Sequence, residues 1–319
     1  MDTEAAAVGG WKAGIDLGSN TFQWAVGRWS PAGFPEIRAR SKKGVGLGRG
    51  GMAKKTILEE ARLRAHEVLA SMKQDLADLG FSASEVRVIG TSAFRNAENA
   101  AEFVSEIELN HGFRVEVISG EEEARLIFNG VRASGAIPSD GESLILDIGG
   151  GSVEFIWCQR LEPIWKQSFE IGGLRMMERF HQQDPITPEK AAEARLWLEE
   201  QLQPLWELAE SRKPPVLLGC SGAFDTLGDM QFRHQNQEKK AEDFPWGEIQ
   251  PDFLKQKALP LRFLPLEQRL QIPGMIPLRA GMMPLALVLI QLLLDRLSCP
   301  AIRYSTWSLK EGLLFQNQP

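Results

Sequence analysis

Apolar and polar positions follow distinct rhythms along the chain, and the rhythms separate its elements. From Ile57 to Leu79 the residues Leu58, Ala61, Ala65, Val68, Met72, Leu76 and Leu79 recur three and four apart. That spacing predicts an amphipathic helix, which Gly80 stops. Short apolar runs predict strands at Val86 to Gly90, Arg114 to Ile118, Ser143 to Ile148, from Val216, and Ala301 to Tyr304. Trp11 to Arg40 reads as strands joined by tight turns, and Glu189 to Glu210 as a helix broken near Pro204. Met282 to Leu294 is the most apolar run, but it is too short to cross a bilayer and holds Pro284 and Gln291, so it predicts a buried helix. Lys42 to Gly51 is glycine-rich and predicts a flexible loop, with Lys42, Lys43 and Arg49 as candidate anion contacts. Its formal G-x-G-x-x-G (Gly46, Gly48, Gly51) places the expected acidic partner inside the following helix, so a dinucleotide turn does not fit. Phe232 to Pro251 is polar and predicts a surface excursion.

The chain is organised around Ser143 to Trp157: an apolar strand, Asp147, the glycines Gly149, Gly150 and Gly151, then Ser152, Glu154 and a second apolar strand. Glycines let a ligand approach the main chain, whose N–H groups then bind an oxyanion. Asp147 at the strand end suits a cation, and Glu154 beyond the turn suits a water. Donors and carboxylates together suit phosphate held with a divalent ion. Without a ligand, the same run is a glycine-rich hairpin that turns the chain.

A weaker copy stands near the start. Asp16-Leu17-Gly18-Ser19-Asn20-Thr21 follows one strand and precedes another. The pair resembles the phosphate loops of the actin, Hsp70 and sugar-kinase superfamily. That resemblance implies an α/β fold of two ribonuclease-H-like domains with an interdomain cleft, one loop in each. Two further motifs lie between the copies. Thr91-Ser92-Ala93-Phe94-Arg95-Asn96-Ala97 joins a strand to a helix, where hydroxyls and Arg95 suit an anion. Ile118-Ser119-Gly120 runs into Glu121, Glu122, Glu123, Ala124 and Arg125, three glutamates opening a helix. Charge against the helix dipole explains the acidity but not the flanking Gly120 and Arg125.

These four motifs, in this order, resemble the exopolyphosphatase/guanosine-pentaphosphate phosphohydrolase family over nearly the whole chain. The resemblance implies Mg²⁺-assisted hydrolysis of a terminal phosphate from inorganic polyphosphate or from guanosine pentaphosphate, a stringent-response nucleotide. It implies Glu123 as general base with Glu122 beside it, and Glu154 positioning the water. Asp16 and Asp147 are placed near the metal. Gly18, Ser19, Asn20, Thr21, Gly149, Gly150, Gly151 and Ser152 are placed around phosphates, with Arg95 as a further contact. Val216 to Asp225 matches the family's third phosphate-facing loop at Ser221 and Gly222; Cys220 there reads as a packed residue rather than a nucleophile. The implied domains are 1–132 and 133–307, with a C-terminal helix at 308–319 packing back on the first. The chain departs from the family at Gly46 (usually basic), Arg49 (usually acidic) and Gly281 (usually aspartate). Longer members carry a further helical domain, so a chain ending near residue 319 implies a shorter or nucleotide substrate, or a loose grip on long polymer. Many members are dimers; nothing in the sequence marks a dimer face.

Composition narrows the setting. At 319 residues, 43% hydrophobic and 24% charged, the chain reads as a globular protein of roughly two domains. A net charge of −6 argues against nucleic acid as partner, so an anionic substrate needs a local basic pocket. Cys158, Cys220 and Cys299 are too scattered for a disulfide framework or a zinc site, which points to a reducing cytoplasm. Met1 to Gly10 lacks a signal-peptide pattern, and no membrane partner is expected. Two other functions remain open: a small-molecule kinase or ATPase of the same fold, and a non-catalytic sensor of the same phosphorylated ligands.

Overall fold

The computed structural model describes residues 10–316. The expectations for Met1–Gly9, and for the last residues of the 308–319 segment, lie outside the described residues. The chain divides into Met1–Ala133 with Ser308–Pro319, and Ser134–Trp307. Each unit has its own sheet and its own apolar core.

In the first unit, β1 (Lys12–Leu17), β2 (Thr21–Trp29) and β3 (Pro35–Gly44) form an antiparallel meander. β4 (Val86–Gly90) and β5 (Val115–Val117) add in parallel, giving the order β3-β2-β1-β4-β5. Helices α1 (Glu59–Asp78), α2 (Ser92–Asn96), α3 (Ala100–His111) and α4 (Gly120–Ala133) make the connections. The three-and-four spacing read from the sequence holds at Ala61, Ala65, Met72 and Leu76, which are buried on α1; Leu69, absent from that reading, is buried too, while Leu58, Val68 and Leu79 are half-buried.

The second unit repeats the plan. β6 (Glu142–Ile148), β7 (Val153–Gln159) and β8 (Glu162–Phe169) form a meander. It is followed by α5 (Gly173–Phe180), α6 (Pro188–Gln201) and α7 (Gln203–Ser211). β9 (Val216–Cys220) pairs in parallel with β6, and α8 (Gly222–His234) follows it. Next come β10 (Trp246–Ile249) and the short helices α9 (Pro251–Phe253), α10 (Leu266–Leu270) and α11 (Pro277–Ala280). The long apolar helix α12 (Met283–Leu297) leads to β11 (Ala301–Ser305), and α13 (Leu309–Leu314) ends the chain. The order β10-β11-β9-β6-β7-β8 contains the same five-strand pattern with one extra edge strand. These are two ribonuclease-H-like α/β units of the actin type. The extra strand lies where the sequence suggested a surface excursion: Phe232–Pro251 includes β10, which gains its ladder from β11 rather than from its own polar pattern. Among the described residues, no helix is long and apolar enough to cross a membrane.

Helix α13 belongs to the first unit and lies against α4. A Cβ on Gly312 would fall 1.8 Å from the Leu126 carbonyl oxygen, and one on Gly130 would fall 1.9 Å from that of Ser308. The two helices therefore meet backbone to backbone, which only glycine allows. Glu311, fully buried, accepts from the Ser308 N–H and lies 2.9 Å from Lys310 Nζ. Gly312→Ala is expected to destabilise the protein by about 1–3 kcal/mol, as overpacking does, read as an earlier urea-unfolding midpoint. An unchanged midpoint would mean that α13 moves freely off α4.

The thiols are packing residues. Cys158 on β7 and Cys220 on β9 are fully buried, and Cys299 is half-buried. Burial pushes the Cys158 thiol up to about 12 and that of Cys299 to about 11; the Cys220 thiol is also raised well above its ordinary value, by burial and then by Asp147. At pH 8 the native protein is expected to react with a thiol reagent far more slowly than the guanidinium-unfolded chain, because the thiolate is the reactive form. Fast native labelling of Cys220 would contradict this packing.

Candidate functional site

Both organising stretches are strand–turn–strand units with one geometry. In the first unit Gly18 N–H donates to Thr21 O at 3.1 Å; in the second Gly149 N–H donates to Ser152 O at 3.0 Å. A Cβ on Gly18 would lie 2.9 Å from Thr21 O, and a Cβ on Gly149 the same distance from Ser152 O. Each turn needs its glycine for close approach rather than for a left-handed backbone. The register matches as well: Asp16 faces Gln23 across the first hairpin, and Asp147 faces Glu154 across the second.

The carbonyls of both turns are consumed from behind. Asn20 O accepts from the N–H groups of Val45 and Gly46, at 3.0 and 2.9 Å, and Ser19 O from that of Gly48, at 2.8 Å. In the second unit Gly149, Gly150 and Gly151 accept from the N–H groups of Gly173, Leu174 and Gly172, while Arg175 Nε adds a bond to Gly151 O at 2.8 Å. Gly172 presses so close that its Cβ would meet the Gly151 carbonyl carbon at 2.4 Å. The N–H groups of Ser19, Asn20, Gly150 and Gly151 have no acceptor among the described residues. Ser19 Oγ and Asn20 Nδ2 are also buried without a hydrogen-bond partner among those residues. Donors left over in a turn whose acceptors are satisfied make an oxyanion nest.

The remaining groups gather at the carboxyl ends of parallel strands, where open α/β sheets bind ligands. β1 ends at the Gly18 turn, β4 runs into Thr91 and Ser92 of the α2 turn, and Ile118 leads from β5 to α4. The Thr91 N–H donates to Leu17 O at 3.4 Å, tying two of these ends together. On α4, Glu123 points inward and is buried, and Arg95 Nη1 donates to its Oε2 at 2.6 Å and to Ile118 O at 3.2 Å. Glu122 instead takes a two-pronged bond from Arg125, both distances 2.7 Å. Neighbours in sequence thus have different surroundings, because the helix turns about 100° per residue. Asp16 is buried at the end of β1, with Gln23 Nε2 3.4 Å from its Oδ2. In the second unit Ser168 Oγ donates to Glu154 Oε1 at 2.7 Å, and the Cys220 thiol lies 3.4 Å from Asp147 Oδ2. Ser221 adopts φ +69, uncommon for a serine, just before Gly222 opens α8.

The sequence reading gave no role to Arg279 on α11. Its guanidinium is buried against Gly222, where a Cβ would lie 1.9 Å from Nε, and it lines a small cavity with Ile148 and Gly149. Burial lowers its pKa, while Asp225 and Asp147 oppose that shift. Its Nε has no acceptor among the described residues. The available signal was an arginine opening the most apolar run of the chain. The loop from Lys42 to Gly51 also differs from expectation. It is anchored rather than free: Val45 and Leu47 are buried, and Lys43 bonds Ser71 and Asp75.

Among the described residues no cluster of three acidic, histidine or cysteine side chains is placed to hold a metal ion. Beside the turns lie buried Asp16 in the first unit, and buried Asp147 and Glu154 in the second. That donor set fits Mg²⁺, which binds through one or two carboxylates, water and substrate phosphates rather than in an all-protein cage.

Comparison with known proteins places this geometry. An exopolyphosphatase from Cytophaga hutchinsonii is 38% identical, with a TM-score of 0.89 over 95% of this chain and 96% of that one. A Ppx/GppA family member from Aquifex aeolicus, 24% identical, shares the fold with a TM-score of 0.76 over 96% of each chain. The model of the Ppx/GppA phosphatase family matches residues 29–319, and the chain therefore belongs to that family.

Proposed function

We propose that the protein hydrolyses the terminal phosphate of inorganic polyphosphate or guanosine pentaphosphate, with Glu123 as general base. The observation that carries this reading is the buried Glu123 carboxylate, held by Arg95 at the strand ends that carry the first oxyanion nest. A phosphatase needs little covalent chemistry from its protein; it needs a positioned water and donors aimed at developing charge. Arg95 serves both needs. It orients Glu123 through its 2.6 Å bond, and its guanidinium is suited to a phosphate oxygen once substrate arrives. That exchange loosens its hold on Glu123 as the base is required. Glu154, held by Ser168, orients the water, and the amides of the two turns take the phosphate oxygens. Mg²⁺, when bound through Asp16 or Asp147, supplies charge neutralisation on the phosphate chain. The kinship with an exopolyphosphatase supports this substrate class. Free thiols fit the reducing cytoplasm expected from the sequence.

With Mg²⁺ and short polyphosphate, long polyphosphate or guanosine pentaphosphate, phosphate release is expected from at least one substrate. Glu123→Gln should reduce kcat about 10²–10⁴-fold, the usual contribution of a general base. Full activity in that variant sinks the assignment, and wild-type binding without release points to a sensor. Arg95→Lys keeps the charge but loses the planar fork. It should raise KM and lower kcat together, and wild-type kinetics would remove Arg95 from the scheme.

A further inference from the structure

The segment after β3 carries a second cationic feature. Its backbone is fixed to the first phosphate turn through the bonds from Val45, Gly46 and Gly48 to Asn20 and Ser19. Two arginine side chains approach Gly46. A Cβ on Gly46 would stand 3.8 Å from Arg49 Nε and 3.9 Å from Arg64 Nη2. Gly46 has φ +62, a left-handed backbone that favours glycine, so no side chain from this position stands against the two arginines. Arg64 reaches over from α1. Its Nε donates to Val45 O at 2.9 Å and its Nη2 to Gly46 O at 3.4 Å, which fixes the plane of the group and leaves other donors uncommitted. Arg49 makes no side-chain hydrogen bond or ion pair among the described residues. Neither arginine has a carboxylate within ion-pair distance among those residues, although 42 acidic residues outnumber 36 basic ones in the chain.

Two like charges side by side without a counter-ion repel each other. A shared anion removes that repulsion and accepts from both forks, which is the geometry arginine offers to phosphate. The position is specific, because Gly48, which bonds Ser19, is the residue immediately before Arg49. We propose that Arg49 and Arg64 form a two-guanidinium subsite beside the first phosphate turn, for the oxyanions of phosphates adjoining the one that is cleaved. The proposal rests on the hydrolase reading for the identity of the ligand. The subsite itself is defined by binding alone.

The test separates the two. Binding of inorganic polyphosphate and of guanosine pentaphosphate is measured directly, and phosphate release is measured separately, over a range of salt concentrations. The proteins are the wild type, Arg49→Gln, Arg49→Glu, and Arg114→Gln as an exposed-charge control whose partner is Glu108. Arg49→Gln is expected to raise Kd and KM about 10-fold, the loss of one charge-assisted contact, with kcat unchanged. Salt dependence should flatten, since screening acts on the lost charge. Arg49→Glu should be worse and Arg114→Gln unaffected. A loss confined to polyphosphate assigns the subsite to chain phosphates, and a loss confined to guanosine pentaphosphate assigns it to the nucleotide. Unchanged binding and salt slope for both ligands in Arg49→Glu overturn the subsite. Arg49-dependent binding without phosphate release overturns the hydrolase and keeps the subsite. A wild type that binds neither ligand overturns both.

Discussion

A chain that turns sharply at the end of a buried strand must still satisfy its peptide groups, and this constraint shapes both units. In each turn the carbonyls are taken by a neighbouring segment: residues 45–48 in the first unit, the start of α5 in the second. The amides then have no acceptor among the described residues. A buried N–H without an acceptor costs free energy unless a ligand or water supplies one. The cost is carried by the fold and is recovered when a ligand supplies the acceptor, which is the part the proposed function gives to phosphate. The close approaches at Gly18, Gly149 and Gly172 belong to the same device, since a Cβ at any of them would push the turn off its support.

Charge is handled sparingly around these turns. An acidic protein that takes an anion must place a few cations where each does more than one task. Arg95 holds Glu123, and Arg175 braces the second turn through Gly151 O while pairing with Glu170. Arg279 answers Asp147 and Asp225 from within the protein.

The repeated plan of the two units was legible in the sequence because apolar runs buried on both faces of a parallel strand leave no alternation to confuse. The Asp–aliphatic–Gly turns stood out at the ends of those runs, and the helix of α1 declared itself by period. Family kinship was legible through four motifs in order, and the family match bears it out. The strand β10 was not legible, because an edge strand draws its hydrogen bonds from a partner far along the chain and carries no apolar period of its own.

The sequence by itself determined which residue types stand at each strand end, and hence the phosphate chemistry and the ribonuclease-H-like plan. Tertiary structure decided which of those residues meet. Glu122 and Glu123 are equivalent as letters, yet one pairs outward with Arg125 and the other is buried on Arg95, a difference set by the rotation of α4 on its sheet. Arg279 and Arg64 come from helices remote in sequence from the glycines they cover. No local pattern encodes such meetings, because they arise only when separate elements pack and their side chains compete for the same space.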